Sequence, residues 1–152
     1  MILPISRLFL TLLALAGLAA CSENLSVEQQ VIVTIREMES KIEAGERRRF
    51  MAHIAEDFQA QGGSMNRDQV RAMVVFQLNR HERLNAQLFP ITVTETGDTM
   101  AKASFRALVT GGPGWIPDSG QVFDFVTQWR LVEGDWLLTS ASWDPVPLEE
   151  AL

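Results

Sequence analysis

The sequence has no tyrosine, a single cysteine and two histidines in 152 residues. The missing phenol removes one common catalytic acid. A lone thiol, Cys21, excludes an internal disulfide and any zinc site built on several thiolates. Positive charge is scarce as well, with 13 Lys+Arg against 19 Asp+Glu and a formal net charge of −6. Nucleic acid needs a positive footprint, so it is not an expected partner, and an anionic lipid surface would repel the domain. No nucleophile elbow, phosphate loop, dinucleotide fingerprint or zinc-protease helix occurs, and neither cofactor nor metal is expected. What remains is 47% apolar and 21% charged, a core-forming composition at a length that suits one domain.

The amino terminus carries the strongest local signal. Leu8 to Ala20 (LFLTLLALAGLAA) is apolar except for Thr11 and Gly17, and Arg7 precedes it. A spanning helix needs about 20 apolar residues, so this shorter run reads as a secretory h-region. It ends in Leu18-Ala19-Ala20-Cys21. That tetrapeptide resembles the lipobox of bacterial lipoproteins, which implies cleavage before Cys21 and acylation of its thiol, palmitate included. More than one acyl chain makes such an anchor lasting. Ser22 follows the cysteine where aspartate would imply inner-membrane retention, so the resemblance implies the outer membrane, facing the periplasm. The expected organisation is a signal over 1–20, a lipidated cysteine and tether over 21–25, a domain over 26–145 and a loose tail over 146–152. The tether spans under about 20 Å when extended and would hold the domain near the lipid.

Ser26-Val27-Glu28-Gln29 forms a capping box, and Val31, Ile35, Met38 and Ile42 then fall on one helical stripe until Gly45. A shorter helix is expected to carry Phe50, Ile54 and Phe58 on one face. Asn66 and Gln69 mark a second cap, opening a third helix to about Leu84. Its inward stripe is Val70, Met73, Val74, Gln77 and His81, with Phe76 on the flank. Beyond Asn85 the period becomes alternating. Strands are expected over 87–96, with Pro90 as a bulge or edge, then 99–110, 121–132 and 136–144. Turns fall at Thr96-Gly97-Asp98 and Glu133-Gly134-Asp135. Pro145 and Pro147 end the last strand. Ala101, Ala103 and Ala107 face Phe125 and Trp129, and so small a surface either admits a helix closely or leaves a hollow. The fold class is therefore α+β, with three N-terminal helices packed on one face of an antiparallel sheet.

Glu43-Ala44-Gly45-Glu46 and Phe50-Met51-Ala52-His53-Ile54-Ala55-Glu56-Asp57-Phe58 resemble the start of the nuclear transport factor 2-like (NTF2-like) superfamily. The hairpin of Gln128-Trp129-Arg130-Leu131 and Gly134-Asp135-Trp136 near the end fits the same order. The resemblance, over residues 28 to 144, implies a cone-shaped cystatin-like fold around an apolar cavity, and homodimers are common in that superfamily. Some of its members are isomerases or dehydratases. The ketosteroid isomerase pattern would put its tyrosine at Met38, its base at Gln61 or Gly62 and its oxyanion acid near Thr127. A thioether donates no hydrogen bond and an amide takes no proton at neutral pH, so that chemistry is not expected.

Two kinds of candidate residue follow. His53 and Asp57, four apart and read as sharing a helix end, are candidates for an acid–base or metal pair. One His with one carboxylate is half a metal site, and a helix-terminal contact is the favoured reading. His81 is a third titratable group. These would serve a lyase or isomerase, in one cone with Gln77 and Thr127. Met38, Met73, Phe76, Gln77, Phe105, Phe125, Thr127 and Trp129 are the expected lining for a small apolar ligand. Trp115, in the Gly/Pro loop, either folds over its own sheet or meets a partner. The first reading is a lipid-anchored domain that binds an apolar ligand or a protein partner without catalysis.

Overall fold

The computed structural model describes residues 24–81, 83–112 and 119–151. The leader, Cys21 and Trp115 lie outside the described residues. Helix α1 (Val27–Glu43) starts on the expected capping box: Ser26 Oγ accepts from Gln29 N, and the Gln29 side chain accepts from Ser26 N. Helix α2 (Arg47–Ala52) is a turn and a half, and β1 (Ile54–Ala60) follows it directly. One 3₁₀ turn (Gln61–Gly63) and the two-residue β2 (Met65–Asn66) lead into α3 (Arg67–Arg80). Strands β3 (Arg83–Leu88), β4 (Thr92–Gly97), β5 (Met100–Gly112), β6 (Ser119–Val132) and β7 (Asp135–Val146) complete the sheet, and α4 (Leu148–Ala151) closes the chain.

Several expectations are corrected here. Ile54 and Phe58 are strand residues; a separation of four is even, so it suits one strand face as well as one helical stripe. The expected three-helix lead is interrupted, because β1 and β2 lie between α2 and α3. Helix α3 stops at Arg80, and Leu84 belongs to β3. The expected strand over 87–96 is two strands, broken at Phe89-Pro90-Ile91, and both pair with β5. Proline has no N–H to give the ladder, and the chain leaves the sheet there. Strand β7 runs through Pro145 to Val146, and the expected loose tail is in part a short helix.

The sheet order is β2-β1-β7-β6-β5-β3, with β4 also on β5. It is mixed: β1 runs parallel to β7, which corrects the expectation of a wholly antiparallel sheet. Glu133 and Gly134 join β6 to β7 with φ of 51° and 93°, the positive angles of the turn that follows a strand's own twist. Gln61 fastens the 3₁₀ turn to β7 from both ends of its amide. Its Nε2 donates to Trp143 O at 2.9 Å, and Trp143 N donates to its Oε1 at 3.1 Å. Arg67 ties the start of α3 to the α2–β1 junction, donating to Ile54 O at 3.1 Å and Met51 O at 3.2 Å.

Helix α1 lies on one end of the inner sheet face, where Val31, Ile35 and Met38 join Ala101, Ala103, Trp129 and Trp136 in one buried cluster. The alanines therefore serve close approach of a helix. The outer face carries two bidentate pairs: Arg106 on Asp124, at 2.8 and 3.1 Å, and Arg130 on Asp57, at 3.2 and 2.9 Å. Hydrogen bonding from those arginines holds both aspartates below the usual carboxylate range, and Arg49 does the same for Glu46. A depressed carboxylate stabilises the fold above its unfolded pKa, about 4, and that contribution fades as pH falls through its lower folded value. Asp57 and Asp124 are solvent-exposed and Glu46 is half-exposed, so the effect is small. Urea midpoints measured between pH 6 and 2 should fall, and a D57N/D124N double variant should show a shallower fall over that window.

Candidate functional site

The other end of the inner face is left open by α1, and a cavity of about 820 Å³ occupies it. Ile54 and Phe58 of β1, Val70 and Val74 of α3, and Leu138 and Ala141 of β7 supply its buried walls. Phe123 and Phe125 of β6 and Trp143 of β7 continue the wall as an aromatic run. Phe125 lies 6.2 Å from Phe123, edge-on, and 6.0 Å from Trp143. Polar lining residues are exposed or half-exposed: Gln77, Arg80, His81, Asn85, Thr110 and Gln121. Burial thus grades from a polar mouth to an apolar floor. Among the described residues no aspartate or glutamate lines it.

His81 takes its place at the mouth through a backbone feature. A Cβ on Gly111 would stand 2.7 Å from the His81 Cγ and Nδ1, so glycine alone lets the imidazole lie against β5. His81 follows the last residue of α3, and its backbone N–H donates to Gln77 O at 3.1 Å, capping the helix. Arg80, on that last turn, has the Phe76 ring 6.0 Å from its guanidinium carbon and forms no ion pair among the described residues.

Of the expected lining, Met73, Gln77 and Phe125 face this cavity, and His81 joins them. The rest are elsewhere. Met38 and Trp129 are core beneath α1, and Phe105 stacks on Phe125 at 5.2 Å without lining the space. Thr127 is buried and fully engaged, since its hydroxyl donates to Ala103 O at 3.1 Å and accepts from Trp129 Nε1 at 2.9 Å. Phe76 points outward, 58% exposed. The acid–base pair does not form on a shared helix end. His53 is the residue after α2, where its carbonyl accepts from Leu138 N, while Asp57 sits on β1 in the Arg130 pair. Among the described residues no three of His, Cys, Asp and Glu come close enough to hold a metal.

Trp143, Phe123, Arg80 and Gly111 are the site residues that sequence reasoning missed. Trp143 gave no usable signal, because alternation from Leu138 turns a position five residues on to the other face, and only the register shift between Gln128 and Trp129 brings it inward opposite Phe125. Gly111 had none, because its role depends on a ring thirty residues away.

No protein-family model matches the chain, and no curated protein matches it. Solved structures do. Bd1075 of Bdellovibrio bacteriovorus superposes with a TM-score of 0.68 at 9% identity, over 78% of this chain but 41% of that one. A provisionally named scytalone dehydratase from Novosphingobium aromaticivorans gives 0.68 at 10% identity, covering 78% of this chain and 83% of its own. An NTF2-like protein of unknown function from Pseudomonas putida gives 0.66 at 18% identity, over 81% and 89%. Identities this low speak to the fold alone. That fold is the NTF2-like, cystatin-like one, with a curved seven-stranded sheet wrapped on its helices.

Proposed function

We propose that this domain binds a small, largely apolar molecule in the cavity between α3 and the sheet, and holds it without transforming it. The observation that carries this reading is the cavity itself. Its 820 Å³ lies within the range of about 300 to 1,000 Å³ usual for small-molecule sites, and its buried walls are entirely apolar. A catalytic acid and base need to reach one reacting atom together, whereas neither His53 nor Asp57 lines this space and the Asp57 carboxylate is held by Arg130. A lyase or isomerase reading draws on the dehydratase name of one structural neighbour and on His81 at the mouth. A partner on the outer sheet face has less support than a ligand within, since that face is occupied by the two Arg–Asp pairs.

Filling the floor tests the reading. An Ala141→Trp variant should bind the neutral probe N-phenyl-1-naphthylamine at least tenfold more weakly than the parent, with its melting temperature retained. Unchanged probe affinity in a folded A141W protein would remove the proposal. The leader further supports an acylated Cys21 and a place at the outer membrane facing the periplasm. Intact mass of the protein purified from membranes tests this: acyl mass on Cys21 is expected, and a bare thiol refutes it.

A further inference from the structure

The ligand's chemistry can be narrowed from the charges around the cavity. A chain with six more acids than bases would be expected to put carboxylates around most of its openings. This opening has none among the described residues, while Arg80 stands at it. The arginines of the outer face are held in bidentate pairs with Asp57 and Asp124, and Arg49 holds Glu46. Arg80 instead has an aromatic face, 6.0 Å away, and a five-donor fork that suits a planar anion. Gln77 and Asn85 beside it offer amide N–H groups to the same place.

We infer that the occupant is a single-chain amphiphile with an anionic head, its tail among Phe58, Val74, Phe125 and Trp143 and its head on Arg80. This rests on the cavity-binding reading and adds the sign of the head group. The geometry disfavours a cationic amphiphile, whose head would meet Arg80 with no carboxylate among the described lining residues to offset it. A carboxylate and a phosphate monoester share the required chemistry. Arg80 also lies in the last turn of α3, where a cation complements the helix's negative end. That role would show in stability and leave ligand discrimination untouched.

The experiment is competition against N-phenyl-1-naphthylamine at pH 7.5, below micellar concentrations, with dodecanoate, dodecyl phosphate, 1-dodecanol and dodecyltrimethylammonium. One of the anions should compete at about tenfold lower concentration than the alcohol, and the cation should be weakest. The relative strength of dodecanoate and dodecyl phosphate tells which head is preferred. In an Arg80→Gln variant the anion-to-alcohol ratio should fall towards one, and Arg80→Lys should restore part of it. Equal competition by alcohol and anions, or a ratio that survives R80Q in a folded protein, overturns the inference while leaving cavity binding in place. Absence of probe binding to the parent overturns both.

Discussion

Replacing Trp129 by alanine is expected to cost about 3 to 5 kcal/mol, enough to unfold a domain of this size at ambient temperature or bring it close. The side chain is 1% exposed and lies where α1 meets the sheet. It is also the donor in a buried relay in which its Nε1 binds Thr127 Oγ1, and that hydroxyl binds Ala103 O. A Thr127→Val variant keeps the shape and removes the relay. It leaves an indole N–H without its acceptor, at a cost of about 1 to 3 kcal/mol. Urea denaturation of W129A, T127V and T127S measures this. T127S, which keeps a hydroxyl, should be the mildest. If T127V were as stable as the parent, the relay would be incidental to the fold.

The second large effect is a contrast between two alanines of the same sheet face. Ala103→Leu should destabilise by about 1 to 3 kcal/mol, because the added carbons meet a closely packed cluster that includes α1. Ala141→Leu should be close to neutral, because there the new side chain projects into existing space. Both alanines are at least 95% buried, so burial alone forecasts the same outcome for each. Thermal unfolding of the pair decides whether the hollow at the β7 end is real. Equal destabilisation would mean that it is closed in solution.

That contrast shows how much could be read from the chain. Local signals were legible. Ser26 with Gln29, and Asn66 with Gln69, both close as capping boxes, since the partners are three residues apart. The alternation of Ala101, Ala103, Phe105 and Ala107, and of Phe123 to Leu131, gave the correct inner face. Periodicity reports a face, however, and says nothing of depth along it. Periodicity therefore groups Met38, Phe105, Thr127 and Trp129 with Phe125 and Met73 as lining, although α1 fills their end of the inner face and α3 leaves the other end open. Distances of many residues were illegible too. Gln61 on Trp143, Asp57 on Arg130 and the parallel pairing of β1 with β7 bring together segments whose meeting no window of the sequence records. His53 and Asp57 show the remaining ambiguity, because a spacing of four serves either a helix or a strand and the backbone chose the strand.

The outer border of β3 is attended by α1. Ala86 N donates to the Glu43 carboxylate at 3.0 Å, and the Arg36 guanidinium comes within 3.5 Å of Leu88 O. A strand margin with free amides invites any passing extended peptide to add itself. Here an ionised side chain occupies one docking point with charge-assisted strength, so a newcomer must displace it before a ladder can start. At the opposite end the sheet tapers to the two residues of β2, too short to template much. Chains crowded together are thereby discouraged from zipping into continuous β-structure.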